Sequence, residues 1–493
     1  MLRTHIPLYR ADAVRELDRL AIEVHGVPGY SLMSRAGAAA FSVLRERWPD
    51  ARRVAVFCGV GNNGGDGFVL ARLARAAGLD VRIVQVGDGE RLRGDARTAA
   101  EAARAAGLTP VCPADAAIDN VDVLIDALFG TGLERPVEGT WREAVQAINA
   151  QAQPVLAIDI PSGLHADTGS VLGVAVRADR TVTFIGRKRG LYTGEGPEFA
   201  GAIDFADLKV PPDIYAKVAT DTWLLGPEQV VECLPRRPRT QHKGANGHVL
   251  VIGGDHGMGG AARLAAEAAA RSGAGLVSVA TQPEHVALIT AGRPELMSHG
   301  VKSAHDLLAL LERATVVAIG PGLGQSAWSR MLFATALASS LPLVVDADAL
   351  NLLARHRQQR GNWILTPHPG EAARLLRRSS EAVQSDRFAA VAALVKEYAA
   401  VAVLKGAGTL VCNGDEFAVC PTGNPGMASG GMGDVLTGIL AALLAQGLTT
   451  EDAARTAVFV HGGAADAAAA DGERGLVALD VIEALRGQIN PCQ

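Results

Sequence analysis

The chain has 493 residues, nearly half of them apolar, and a formal net charge of −5. That length exceeds one ordinary core and points to two or three domains, and the composition excludes a disordered chain. The charge balance leaves no nucleic-acid footprint, no apolar stretch is long enough to span a bilayer, and six cysteines without a Cys-x-x-Cys pair indicate reduced thiols.

The first residues, Met1-Leu2-Arg3-Thr4-His5-Ile6-Pro7, hold no apolar run that would serve as a signal peptide, so a cytoplasmic protein without a membrane role is expected. Short β-rich runs then alternate with Ala-rich helical runs. The predicted strands are 54–57, 81–84, 121–125 and 155–158 in the first half, and 249–252, 276–279, 316–319, 343–345 and 401–404 in the second. Continuous apolar strands separated by helices indicate an α/β protein with parallel sheets covered on both faces. In such sheets ligands bind beyond the carboxyl ends of the strands, where the polar and Gly-rich residues of this sequence fall. Between the halves, Pro211, Pro212, Pro227, Pro235 and Pro238 break the pattern, and a linker over 212–235 is predicted. The patch Arg236-Arg237-Pro238-Arg239 reads as a solvated linker face first and an anion site second.

After the first strand comes Gly59-Val60-Gly61-Asn62-Asn63-Gly64-Gly65-Asp66-Gly67, then a helical run over 68–73. Gly59, Gly61 and Gly64 match G-x-G-x-x-G, whose glycines let backbone N–H groups approach a phosphate at a helix N-terminus. The departures from that pattern carry more information than the match. An anion loop gains little from Asp66, whereas a cation or sugar hydroxyls would use it. Turn stabilisation accounts for Asn63 or Asp66 taken singly, but not for the whole run. Two more predicted strands end in polar loops, Ile125-Asp126-Ala127-Leu128-Phe129-Gly130-Thr131-Gly132-Leu133 and Ala157-Ile158-Asp159-Ile160-Pro161-Ser162-Gly163. Three such ends converge on one crevice. Asp126 with Asn63 and Ser162 offers hard oxygen donors and little charge, which suits a monovalent cation better than zinc. Asp159 is a candidate proton acceptor.

With these runs, with Leu17-Asp18-Arg19-Leu20-Ala21-Ile22 and with Leu32-Met33-Ser34-Arg35-Ala36-Gly37, residues 1–215 resemble the NAD(P)H-hydrate epimerase domain, a Rossmann-like parallel-sheet fold. The resemblance implies a substrate that is NADH or NADPH hydrated on the nicotinamide ring, with its two C6 epimers interconverted and a potassium ion held nearby. Carried over by position, Asn63, Asp126 and Ser162 form the potassium site. Asn62, Asn63, Gly64, Gly65, Asp66, Gly130, Thr131, Gly132, Leu133, Glu134, Arg135, Pro136 and Asp159 contact the nucleotide, with Asp159 catalytic. Ser34 stands where the family often has Glu, which bears on oligomer contacts more than on chemistry.

The second half is richest at Thr422-Gly423-Asn424-Pro425-Gly426-Met427-Ala428-Ser429-Gly430-Gly431-Met432-Gly433-Asp434-Val435. A glycine-dense loop opens into an apolar helix, and its free N–H groups form an anion hole for a transferring phosphoryl group. A helix cap explains Asp434 but not a dozen Gly-rich neighbours. Supporting runs follow other strands: Gly320-Pro321-Gly322-Leu323-Gly324, Asp346-Ala347-Asp348, Thr366-Pro367-His368-Pro369-Gly370-Glu371, and Lys405-Gly406-Ala407-Gly408-Thr409. A histidine fixed between prolines beside a glutamate is a site candidate, and a lysine before a Gly/Thr loop suits nucleotide phosphates.

Gly-x-Gly-Asp at 431–434 resembles the anion hole and base of the ribokinase-like superfamily. Within it, residues 225–490 resemble the ADP-dependent NAD(P)H-hydrate dehydratase, whose motifs occur here in family order. The resemblance assigns Ala261, Gly322, His368 and Asp434 to the hydrate, and Lys405, Gly406, Ala407, Gly408, Thr409 and Gly433 to the adenine nucleotide, with Asp434 catalytic. It implies ADP and magnesium as cofactors, phosphorylation of the C6 hydroxyl so that phosphate rather than hydroxide leaves, and release of AMP and phosphate. The ligands implied are the hydrates and ADP, and family members assemble as homo-oligomers. Three alternatives stay open on the residues alone. They are a ribokinase-like vitamin-precursor kinase with a Rossmann-like accessory domain, a Rossmann oxidoreductase, and a nucleotide-sensing binding protein.

Overall fold

The structure is a computed structural model that describes residues 6–113, 118 and 120–490; the first five residues and Cys492 lie outside them. The chain forms two compact units, Pro7–Thr222 and the stretch from Trp223 onward. The predicted linker stretch contains the short helices Asp213–Lys217 and Glu228–Cys233 and the strand Thr222–Leu224.

The sheet of the first unit has strands β1 (Arg53–Cys58), β2 (Asp80–Gln85), β3 (Val123–Ala127), β4 (Val155–Ile158), β5 (Arg180–Phe184) and β6 (Ala202–Ala206), ordered β2-β1-β3-β4-β5-β6 and all parallel. Alternate residues of β1 serve opposite faces: Val54 and Val56 join one apolar cluster, Ala55 and Phe57 the other. Strand order reverses between β1 and β3, so their carboxyl ends diverge into a crevice. Helix α1 (Gly29–Arg47) packs on α2 (Asn62–Ala76) on one face.

Two expectations need correction here. The third strand begins two residues later than predicted, which places Asp126 inside it. The Asn-Asn-Gly-Gly-Asp-Gly run is the first turn and a half of α2, not a loop preceding it. Glycine disfavours helix by roughly 1 kcal/mol, but packing overrides that preference. A Cβ on Gly64 would meet the Gly59 carbonyl well inside contact distance, so only glycine lets this helix start so close to the strand end.

The second unit has strands β7 (His248–Ile252), β8 (Leu276–Thr281), β9 (Met297–Gly300), β10 (Val316–Ile319), β11 (Leu343–Val345), β12 (Trp363–Leu365), β13 (Val401–Leu404), β14 (Leu410–Cys412) and β15 (Phe417–Val419), in the order β9-β8-β7-β10-β11-β12-β13-β14-β15. Pairing is parallel as far as β13 and antiparallel between β13, β14 and β15, against the all-parallel expectation. The turn Asn413-Gly414-Asp415-Glu416 makes the difference. Asn413 Oδ1 accepts from the amides of Asp415 and Glu416 and reverses the chain within four residues.

Helices of the second unit include α3 (Gly259–Arg271), α4 (Ala347–Arg355), α5 (Pro369–Leu376), α6 (Arg387–Tyr398), α7 (Met432–Ala445), α8 (Thr450–Ala468) and α9 (Ala478–Gln488). Helix α7 is buried from Val435 to Leu444 on all sides. Each fully buried Leu or Ile there contributes roughly 1.5–3 kcal/mol, which fixes the helix whose first turn carries Asp434.

Candidate functional site

In the first unit, Asp126 is fully buried. Its carboxylate accepts from the Ser162 amide at 2.7 Å, the Ser162 hydroxyl at 2.6 Å and the Leu128 amide at 3.2 Å. Burial pushes its pKa up to about 6 against the pull of Ser162. The Phe129 carbonyl accepts from Asn63 Nδ2 at 2.9 Å, and the Phe129 amide donates to Ser162 Oγ at 2.8 Å. Asn63, Asp126 and Ser162 are thus gathered around one peptide. Asn63 Oδ1 is buried and has no partner, an orphaned acceptor aligned with oxygen donors of low total charge. Among the described residues no cluster of three His, Cys, Asp or Glu could hold a metal ion. Asn63, Asp126 and Ser162 offer hard oxygen donors with a single carboxylate, a donor set that suits a monovalent cation better than zinc.

Asp159 sits just past β4 with φ +68°, a backbone state that non-glycine residues rarely adopt. Its Oδ1 accepts from Lys188 Nζ and from the Phe184 amide. A Cβ on Gly130 would lie 3.7 Å from Asp159 Oδ2 and 3.5 Å from the Asn63 side chain, so the three predicted strand ends do meet. Lys188, only 1% exposed, also donates to Thr183 Oγ1 and the Phe184 carbonyl. Burial pushes Asp66 well above the ordinary carboxyl range, with Asp159 and Asp18 adding to it, and pushes Asp18 up to about 6. Not every carried-over residue lines the crevice. Leu133 packs into the core, Glu134 takes a hydrogen bond from His165, and Asn62, Gly132, Arg135 and Pro136 are exposed.

In the second unit Asp346 is the hub. Its Oδ1 accepts from Lys405 Nζ at 2.7 Å and its Oδ2 from Thr437 Oγ1 at 2.8 Å. A Cβ on Gly433 would stand 3.2 Å from Lys405 Nζ and 3.5 Å from Asp346 Oδ2, so glycine there lets the first turn of α7 close on the lysine. Burial, with Asp346 beside it, pushes Asp434 up to about 7 against the pull of Lys405. Burial would pull the Lys405 ammonium down, but Asp346, Glu371 and Asp434 together hold it above the ordinary lysine value. Glu371 lies 3.9 Å from Lys405, and its Oε2 accepts from the His368 amide at 2.8 Å. His368 caps α5, its Nδ1 accepting from Gly370, and burial with Lys405 lowers its pKa.

The turn at 320–324 links the remaining parts. Gly324 donates to Asp348 Oδ2 at 2.8 Å, and a Cβ on Gly322 would lie 3.1 Å from that of Ala261. The loop before α7 is tied down from below, where Asp466 of α8 accepts from Gly423 and from Asn424 Nδ2, both at 2.9 Å. Thr409 turns its hydroxyl back onto the Gly406 carbonyl.

Five groups beside the candidate residues were given no role from the sequence: Asp18, Lys188, the Phe129 carbonyl, Arg387 and His461. Arg387 is buried, donates to the Leu404 and Lys405 carbonyls and so anchors the strand end that presents Lys405. His461 is buried in α8 beside the Met432 backbone with its Nε2 unpartnered. Burial pushes its pKa down to about 4 and keeps it neutral.

Comparison with known proteins agrees with both halves. Residues 29–190 match the family model described as YjeF-related protein N-terminus, and residues 249–486 match NAD(P)H-hydrate dehydratase. The bifunctional NAD(P)H-hydrate repair enzyme Nnr of Coxiella burnetii is 52% identical over 98% of this chain and 99% of that protein. This chain belongs to the bifunctional NAD(P)H-hydrate repair enzyme family. The Nnr of Escherichia coli is 44% identical over 98% of this chain and 94% of its own. A ribokinase-like superfamily protein of Enterococcus faecalis is 30% identical in a solved structure, covering 55% of this repair-enzyme chain and 97% of its own with a TM-score of 0.51. The second unit is thus ribokinase-like and the parallel sheet of the first is Rossmann-like.

Proposed function

We propose that residues 1–215 epimerise the hydrated nicotinamide at Asp159 and that residues 225–490 dehydrate the S hydrate at Asp434 with ADP, releasing AMP and phosphate. The observation that carries the reading is Asp434, pushed up to about 7 at the first turn of α7 and bounded by Gly433, Lys405 and Asp346. A carboxylate so tuned accepts the C6 hydroxyl proton as the oxygen takes the phosphoryl group. Amides of residues 430–433 steady the charge on the transferring group, and Lys405 neutralises phosphate oxygens. Loss of phosphate then restores the dihydronicotinamide. Gly406, Ala407, Gly408 and Thr409 hold the nucleotide, while Ala261, Gly322 and His368 hold the hydrate. Magnesium accompanies the ADP phosphates and offsets their charge.

In the first unit Asp159 Oδ2, the oxygen not engaged by Lys188, takes or returns the proton during epimerisation. Asn63, Asp126 and Ser162 hold potassium, which supplies fixed positive charge beside the substrate. The orphaned Asn63 Oδ1 supports that assignment. The cytoplasm is the proposed compartment and a homo-oligomer the proposed assembly. Among the described residues no helix is long and apolar enough to cross a membrane.

The test supplies mixed hydrate epimers with ADP, magnesium and potassium. Complete, rapid recovery of the reduced nicotinamide absorbance with stoichiometric AMP and phosphate is expected. Rapid recovery of only one epimer would remove the epimerase role, and a stable phosphorylated product would favour the vitamin-precursor kinase.

A further inference from the structure

The Arg-Pro patch after Cys233 is not used by either reaction, and it borders a cavity of about 630 Å³ within the second unit. That volume lies in the range of small-molecule sites. Four arginines line it: Arg236 and Arg237 from the loop, Arg271 at the end of α3 and Arg486 near the end of α9. No carboxylate lines the cavity, and among the described residues none pairs with these four side chains. Four exposed like charges around one cavity, with no counter-charge in its lining, favour an anion there.

Several acceptors of the wall are already used within the protein. The Gly273 carbonyl and Gln446 Oε1 both accept from Arg237. The Ser272 carbonyl accepts from Gln446 Nε2 at 2.9 Å, and Asn246 Oδ1 accepts from Gln241 at 2.8 Å. Donors remain beside them: the guanidinium N–H groups of the four exposed arginines, and the Ser272 hydroxyl, whose residue is 1% exposed and which has no partner. A wall that carries four guanidinium groups favours oxyanions over cations. Leu234, Leu448 and Ile489, which pack against the apolar core, also line the cavity and offer a surface for a ring.

We propose that this cavity is a second anion site, distinct from the ADP site, that binds a phosphate-bearing organic metabolite of nucleotide size. It is separate from the reaction centre. The cavity touches α3 and α7 at their C-terminal ends, whereas Ala261 and Asp434 lie in their first turns, and a helix of the length of α7 spans about 20 Å. The site also stands independently of the proposed reaction, since neither arginine pair contacts the residues assigned to hydrate or ADP.

The experiment is equilibrium dialysis of labelled AMP against the full chain, with one equivalent of unlabelled ADP per chain to fill the first site without flooding the second. One further AMP site per chain is expected. Arg271→Ala combined with Arg486→Ala should weaken it about tenfold or more, the scale of lost charge-assisted hydrogen bonds, with ADP binding unchanged. The milder variant Ser272→Ala, which removes only the unpartnered hydroxyl, should weaken it several-fold and covers the case in which the double variant folds poorly. Absence of a second AMP site, or a second site that neither variant alters, overturns the proposal. AMP binding no tighter than inorganic phosphate overturns its organic half.

Discussion

Lys188 and Lys405 are each surrounded by carboxylates, but they are placed for different work. Lys188 is 1% exposed and spends its donors on Asp159, Thr183 and Phe184. Lys405 is 21% exposed, holds Asp346 at 2.7 Å and has Glu371 only at 3.9 Å. The first is a fixed counter-charge that keeps three acids tolerable in one crevice. The second has donors left for a phosphate and stands beside a helix N-terminus open to an anion. A buried ammonium alone does not identify a phosphate site; the unused donors and the neighbouring backbone amides do.

The sharpest way to break the comparison is Asp434→Asn. Removing a general base costs about 10²–10⁴ in rate, so dehydration should nearly vanish while epimerisation, followed by exchange between the two hydrates, is unchanged. Because burial raises this carboxyl, its ionisation costs folding stability above the unfolded value and up to about 7. The asparagine variant should therefore melt no lower than the parent at pH 8. A lower melting temperature would show that Asp434 holds the fold rather than the chemistry.

Lys188→Met tests the other lysine. Breaking a buried pair costs about 3–5 kcal/mol because the partners stay charged. Asp18 and Asp66 would lose the cation that offsets them, and Asp159 its ion-pair partner. The first unit should unfold at markedly lower urea and lose epimerisation, with dehydration of the S hydrate retained. Equal loss of both activities would mean that the lysine does not act locally.

A third, smaller effect is pH. Dehydration requires ionised Asp434, so its rate should fall as pH drops below about 7, approaching tenfold per unit. A rate flat from pH 8 to 5.5 would remove Asp434 as the base.

The parts of both sites that were legible in the sequence are those written locally. An acid directly after an apolar strand, or a glycine run before an apolar helix, states its own position, as Asp159, Asp346 and the run through Asp434 do. Groups whose meaning comes from distant partners were not legible. Lys188 lies in Arg187-Lys188-Arg189 and reads as surface charge until β5 buries it. The Phe129 carbonyl has no side-chain signature at all. Arg387 and His461 sit in apolar helices and reveal their roles only through Lys405 and Met432. The start of α2 was misjudged because glycine propensity argues for a loop, while its close packing on Gly59 is a tertiary fact. The hairpin of β14 and β15 did carry a signal, Asn413-Gly414 between two short apolar runs.

The smallest effect expected concerns the cation. If Asn63 Oδ1 is completed by potassium, Asn63→Ala removes a ligand and also the amide that fixes the Phe129 carbonyl. A ligand that binds only the folded state stabilises it by RT ln(1 + [L]/Kd), about 1.4 kcal/mol at ten times Kd. Potassium should therefore raise the melting temperature of the first unit by a few degrees over lithium at equal ionic strength, which cancels general screening. The increment should be absent in the Asn63→Ala variant. It should also shrink as pH falls through about 6, because a proton on Asp126 then competes with the ion. A potassium increment unchanged in the variant and across that pH range would place the cation elsewhere and leave Asn63 Oδ1 as an acceptor for the substrate.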